Sequence, residues 1–92
     1  MQIKWTASSI NDLQSLRTYI EKDKPGAARK LAARIVATVE EDLLLQPGMG
    51  RAGRITGTRE FVVSGTSYFI AYRVEEGSLV VLRVLHGAMR WP

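Results

Sequence analysis

REFVVSGTSYFIAYRVEEGSLVVLRVLH, residues 59–86, decides the fold. It contains three runs, REFVVS (59–64), SYFIAYRV (67–74) and LVVLRVLH (79–86), each rich in β-branched and aromatic side chains that suit a pleated, half-buried surface. Gly65-Thr66 and EEGS (75–78) separate the runs at hairpin distance, so consecutive strands pair antiparallel as a meander. Alternation then assigns faces. In the middle run Tyr68, Ile70, Tyr72 and Val74 oppose Phe69, Ala71 and Arg73. In the last run Val80, Leu82, Val84 and His86 oppose Leu79, Val81, Arg83 and Leu85. Pairing across EEGS could bring Arg73 and Arg83 onto one face, a repulsive pair unless an anion or an acid neutralises it. Glu60 is the nearest acid. The plainer alternative puts each arginine at a strand edge, reaching solvent.

Working outward, GRAGRITGTREFV (50–62) leads into the first of these strands with three arginines and a single acid. Its glycines allow tight turns, but neither the G-x-x-x-x-G-K-[ST] phosphate loop nor a G-x-G-x-x-G ahead of a helix is present. The loop enters a strand, so no helix N-terminus is available for phosphate. A nucleotide cradle is therefore not expected. A mobile basic loop meeting a macromolecular anion and a plain crossover both remain open.

Further upstream the period changes from 2 to 3.6. QIKW (2–5) reads as a short strand. Ile10, Leu13, Leu16 and Ile20 then recur at helical spacing, with Ser9 and Asp12 as a capping pair. KDKPG (22–26) ends that helix, with Asp23 as cap and Pro25 in the first turn of the next. Ala28, Leu31, Ala32, Ile35, Val39 and Leu43 form one stripe running on to QPG (46–48), so the helices make a hairpin with an apolar face to bury. The order gives an α+β fold: a short N-terminal strand, a two-helix hairpin, then a three-stranded antiparallel meander completing the sheet.

Composition bounds the chemistry. Ninety-two residues, 46% hydrophobic and 24% charged, make one domain spanning 1–92. Without cysteine, and with one histidine, neither a disulfide framework nor a metal centre is expected, and no cofactor is implied. Lys4 and the polar run from Ser8 to Asn11 argue against a signal peptide, and apolar runs such as YFIAY (68–72) are too short to span a bilayer, so a cytoplasmic domain is expected. The net charge is +4. All lysines lie in the first third; beyond residue 50 every base is arginine (51, 54, 59, 73, 83 and 90). That skew suggests an anionic partner, nucleic acid or acidic protein, because guanidinium forks suit phosphate and carboxylate. His86, ending its strand before Gly87, reads either as a hydrogen-bonded structural residue or as a base.

An ordered set of motifs resembles the RelE/ParE superfamily of bacterial type II toxins, in its ParE-like branch. The set comprises W-T-x-x-x-x-x-D-L (5–13), Y-I (19–20), D-x-P-x-A-A (23–28) and P-G-x-G-R-x-G-R (47–54). It continues with G-T-R-E (57–60), G-T-x-Y (65–68), Y-R-V (72–74) and V-L-H-G-x-x-R-W-P (84–92). The resemblance implies a toxin domain silenced by a cognate antitoxin that wraps around it, with promoter DNA contacted only through the antitoxin and no membrane partner. The superfamily holds ribosome-dependent messenger endonucleases and inhibitors that stabilise the cleaved-DNA complex of DNA gyrase. RNA-cleaving relatives commonly carry Tyr-Arg or His-Arg at the start of the middle strand; this chain has Tyr68-Phe69. Its tail, GAMRWP, also lacks a tyrosine. Gyrase binding is therefore the leading expectation, through Arg51, Arg54, Arg59, Arg83, His86 and Arg90, with no catalytic residue. The rival ribonuclease would hold phosphate on Arg73 and Arg83, with His86 or Arg90 aiding proton transfer or charge stabilisation. A non-toxic antitoxin-binding module is the third reading. The antitoxin is expected on apolar patches left by the hairpin and the sheet.

Overall fold

The computed structural model describes residues 1–92. Strand β1 (Gln2–Trp5) leads into helix α1 (Ala7–Glu21), helix α2 (Pro25–Ala37) and a π-helical turn (Thr38–Leu43). A 3-10 turn (Pro47–Met49) follows, then strands β2 (Arg51–Ala52), β3 (Arg59–Val62), β4 (Tyr68–Glu75) and β5 (Ser78–His86). One sheet holds all five in the order β1-β5-β4-β3-β2. The meander is antiparallel as expected, β2 adds a strand too short to show a period, and β1 runs parallel to β5. The hairpin covers one face of the sheet. Leu16 of α1, Ile35, Val39 and Leu43 pack there against Ile70, Tyr72, Leu79, Val81 and Val84. No helix is long and apolar enough to cross a membrane.

Both helix caps differ from the sequence reading. Thr6, not Ser9 with Asp12, caps α1: its backbone is extended and its Oγ1 accepts the Ser9 N–H at 3.1 Å. Thr6 prevails because β1 has already placed it, its hydroxyl also donating to the Leu82 carbonyl at 2.9 Å. Ser9 is fully buried inside the first turn. At α2, Lys24 occupies the cap position with no side-chain bond, so Asp23 does not cap; Pro25 takes the first turn as expected. The long stripe of α2 continues through a wider turn, in which the Leu44 N–H bonds the Val39 carbonyl five residues back. Thr38 Oγ1 donates to the Arg34 carbonyl at 2.8 Å where the ladder loosens, a local competition between side chain and backbone.

The face assignment for β5 is corrected too. Ala71 pairs with Arg83 but Tyr72 with Val81, which leaves Leu82 as the extra residue of a β-bulge. Leu79, Val81 and Val84 consequently share the helix-side core, where strict alternation would have split them. In β4, which has no extra residue, alternation holds. Its other face carries Phe69 and Ala71, joined by Leu85 and covered by Trp91.

Candidate functional site

The basic loop is organised by one buried carboxylate. Arg51, Glu60 and Ala71 form a cross-strand row on the face away from the helices. The Glu60 side chain is 1% exposed and lies 3.3 Å from Arg51 Nη2 and 3.7 Å from Arg54 Nε. It also accepts the Arg54 backbone N–H at 2.9 Å. Burial by itself would raise the Glu60 pKa; the Arg54 N–H, the Arg51 side chain and the two positive charges outweigh it and hold the group below 4.5. Because the folded pKa is depressed, this carboxylate adds stability above its unfolded pKa and loses it as pH falls through the folded value. Stability to urea should therefore fall more steeply on acidification in the native chain than in Glu60→Gln, and equal slopes would contradict the assignment.

The loop around it is a closed crossover. Gly53 N–H donates to the Thr58 carbonyl at 2.8 Å, and Thr58 Oγ1 donates to the Ile55 carbonyl at 2.6 Å. A Cβ on Gly53 would stand 3.0 Å from the carbonyl carbon and oxygen of Thr58, so only glycine lets the two backbone segments approach. Gly53→Ala should cost about 1–3 kcal/mol by thermal melting. Arg54 projects from this loop, with its guanidinium carbon 5.4 Å from the centre of the Phe69 ring and Nη1 donating to the Trp91 carbonyl at 3.4 Å. Arg59 Nη1 donates to the Gly50 carbonyl at 2.8 Å. Tyr72, fully buried, accepts the Gly50 N–H at 2.9 Å and donates to the Pro47 carbonyl at 2.7 Å. Burial pushes its phenol above the usual range, opposed by the Gly50 bond and the Arg59 charge, which keeps the hydroxyl protonated as a donor.

The remaining arginines are dispersed. Arg73 pairs with Glu75 at 2.6 Å. Arg83 is held by Asp12 of α1, donating from Nε at 2.7 Å and Nη2 at 3.0 Å. The same carboxylate accepts the Val84 N–H at 2.9 Å, past the end of β1, and so completes the edge of β5. Arg73 and Arg83 thus each have their own acid, and neither uses Glu60. Arg90 is exposed and forms no ion pair within the chain. Asp12 and Tyr72 have structural roles that strand and helix periodicity did not reveal, while Trp91 packs back against the sheet as its place in the tail allowed. Asp12 entered the sequence reading as a capping partner of Ser9 and as the acid of the motif at 5–13, and neither pointed to Arg83.

Two of the cavities that flank α1 bear on function. One, of about 400 Å³, is lined by Asp12, Tyr19, Tyr68, His86 and Met89 among others. His86 meets Tyr68 edge-on, ring centres 5.3 Å apart, and its Nδ1 accepts the Ala88 N–H at 3.1 Å. The other is a groove of about 580 Å³ along the outer side of the hairpin, floored by Ile10, Leu13, Ala32, Ala33, Val36 and Ala37.

Comparison with known proteins accords with this architecture. The family described as the ParE toxin of the type II toxin-antitoxin system, parDE, matches residues 3–91. The protein Y4kP of Sinorhizobium fredii is 40% identical over 91 residues, covering 99% of this chain and 93% of that protein. Toxin RelE2 of Caulobacter vibrioides is 36% identical over 87 residues, covering 95% and 96%. A chain of the chromosomal ParDE toxin–antitoxin system from P. aeruginosa superposes with a TM-score of 0.84 at 26% identity, over 94% and 95% of the two chains. With its helical hairpin, its five-stranded sheet and nearly its whole length inside that match, the chain belongs to the ParE toxin family and is the toxin of a type II toxin–antitoxin system.

Proposed function

We propose that this toxin acts in the cytoplasm by binding DNA gyrase and stabilising its cleaved-DNA complex, and that a cognate antitoxin silences it. The carrying observation is at Phe69. Where RNA-cleaving members of the superfamily present an arginine, this chain buries a phenyl ring, 3% exposed, between Arg54 and the cluster that Trp91 covers. Arg73 and Arg83, which would have to hold phosphate, are neutralised by Glu75 and Asp12. A developing phosphorane charge would meet no free guanidinium from β4 or β5. What the chain does offer is an excess of positive charge around the basic loop and tail, where Arg51 and Arg54 share the single carboxylate of Glu60 and Arg59 and Arg90 have no acid. These form the proposed gyrase contact. Arg83 and His86 turn toward α1 and contribute less.

Supercoiling of relaxed plasmid by gyrase tests the reading: the native chain should inhibit and leave trapped linear DNA. Alanine at Arg51, Arg59 and Arg90 together should raise the inhibitory concentration about tenfold, as three exposed charge contacts are lost. Arg54 is left in place because its guanidinium also packs on the Phe69 ring and donates to the Trp91 carbonyl. Full inhibition by the triple variant would refute the surface, and no inhibition by folded native chain would refute the target.

The kinship to Toxin RelE2 and the His86–Tyr68 contact inside a cavity favour the ribonuclease as a second reading. It predicts messenger cut at the ribosome and protected when His86 is replaced by alanine. For the antitoxin, the proposed site is the groove between α1 and α2, whose small alanines admit a closely packed helix.

A further inference from the structure

The groove on the helical hairpin has a charge order along its length, and we propose that this order selects the helix that docks there. The inference rests on the groove being the antitoxin's site. Arg17 and Arg29 border it near the turn that joins the helices, while Glu40 and Glu41 border the opposite end, beside Ile10 near the start of α1. All four are exposed, and none forms an ion pair within the chain. At the usual helical rise, Arg29 and Glu40 are separated along the axis by roughly 16 Å. The floor between them is short and uncharged, so it recognises any amphipathic helix with an apolar stripe at i, i+3, i+4 and i+7. It cannot discriminate among such helices. The rim can.

An occupant with acidic side chains at the end lying over Arg17 and Arg29, and basic ones three turns away over Glu40 and Glu41, satisfies all four charges. A helix of the same composition with its charges interleaved sets like against like at each end, and like-charge juxtaposition is the means by which proteins reject wrong partners. The occupant is therefore an amphipathic helix of segregated charge, with its acids toward the hairpin turn. Chain direction is secondary, because the side-chain charges exceed the helix's own half-charges.

Two synthetic helical peptides serve as probes, identical in apolar stripe and composition, one with segregated and one with alternating charges. Fluorescence anisotropy at low salt should show the native chain binding the segregated peptide about tenfold tighter, the product of four exposed ion pairs. The preference should shrink at high salt. The variant Arg17→Gln, Arg29→Gln, Glu40→Gln, Glu41→Gln, altered only at exposed positions, should bind both peptides alike. Equal binding by the native chain, or a preference that survives neutralisation, would overturn the charge order while leaving groove docking intact. Binding of neither peptide, or binding undiminished by Ala33→Arg in the groove floor, would overturn groove docking itself and the charge order with it.

Discussion

Tyr72→Ala should destabilise the toxin by about 3–5 kcal/mol, the range for deleting a buried aromatic ring. Tyr72 is the largest fully buried side chain, packed in the core between the sheet and the hairpin. Its hydroxyl ties the Pro47 carbonyl to the Gly50 N–H, so the deletion also loosens the segment that enters β2, leaving it held by Arg59. For a domain of this size each kcal/mol shifts the melting temperature by about 4–8 °C, and the total stability is about 5–14 kcal/mol. The variant should therefore be close to unfolding at growth temperature. Tyr72→Phe separates the two contributions. It keeps the ring and removes the hydroxyl, leaving the Gly50 N–H and the Pro47 carbonyl without that partner, for about 1–3 kcal/mol. Urea denaturation of both variants distinguishes the cases. Equal losses would mean that the hydroxyl, not the ring, anchors the loop; a neutral Tyr72→Phe would mean that the two bonds are unimportant.

Asp12→Ala should cost about 3 kcal/mol and leave any gyrase inhibition, measured per folded molecule, unchanged. A single carboxylate accepts from Arg83 Nε, Arg83 Nη2 and the Val84 N–H. All three end on an ionised carboxylate and are charge-assisted, and the third satisfies a backbone donor at a strand edge where no neighbouring strand remains. Its side chain is 12% exposed against 32% for Arg83, so solvent screens the pair only partly. Arg83→Met in the Asp12→Ala background should recover part of the loss, because it removes a cation left without its acid. That cycle also bears on function. If Arg83 also holds phosphate or touches the target, Arg83→Met abolishes the activity of the folded fraction; if it serves only Asp12, stability falls and that activity survives.

Helices and strands were legible because their signals are local. The apolar stripe from Ala28 to Leu43 and the β-branched runs around Phe69 and Leu85 each declare a period within a few residues. The break at KDKPG is equally local. Charge partners were not legible, since an ion pair depends on where two distant segments meet. Asp12 and Arg83 are joined only because α1 starts where β1 stops, beside the bulge in β5. Glu60 offered no hint that it would bind Arg51 and Arg54, its own loop neighbours, in place of the strand arginines.

The amino-acid order by itself determined the α+β class, the element sequence, the hairpin and the family motifs, all of which are written in short-range pattern and composition. Only the tertiary structure decided which arginines stay available to a partner. One extra residue, Leu82, offsets the alternation of β5, and Trp91 packs over Phe69 to make a covered patch on the face away from the helices. Side-chain direction and charge neutralisation are properties of packed neighbours, and the neighbours are set by the fold.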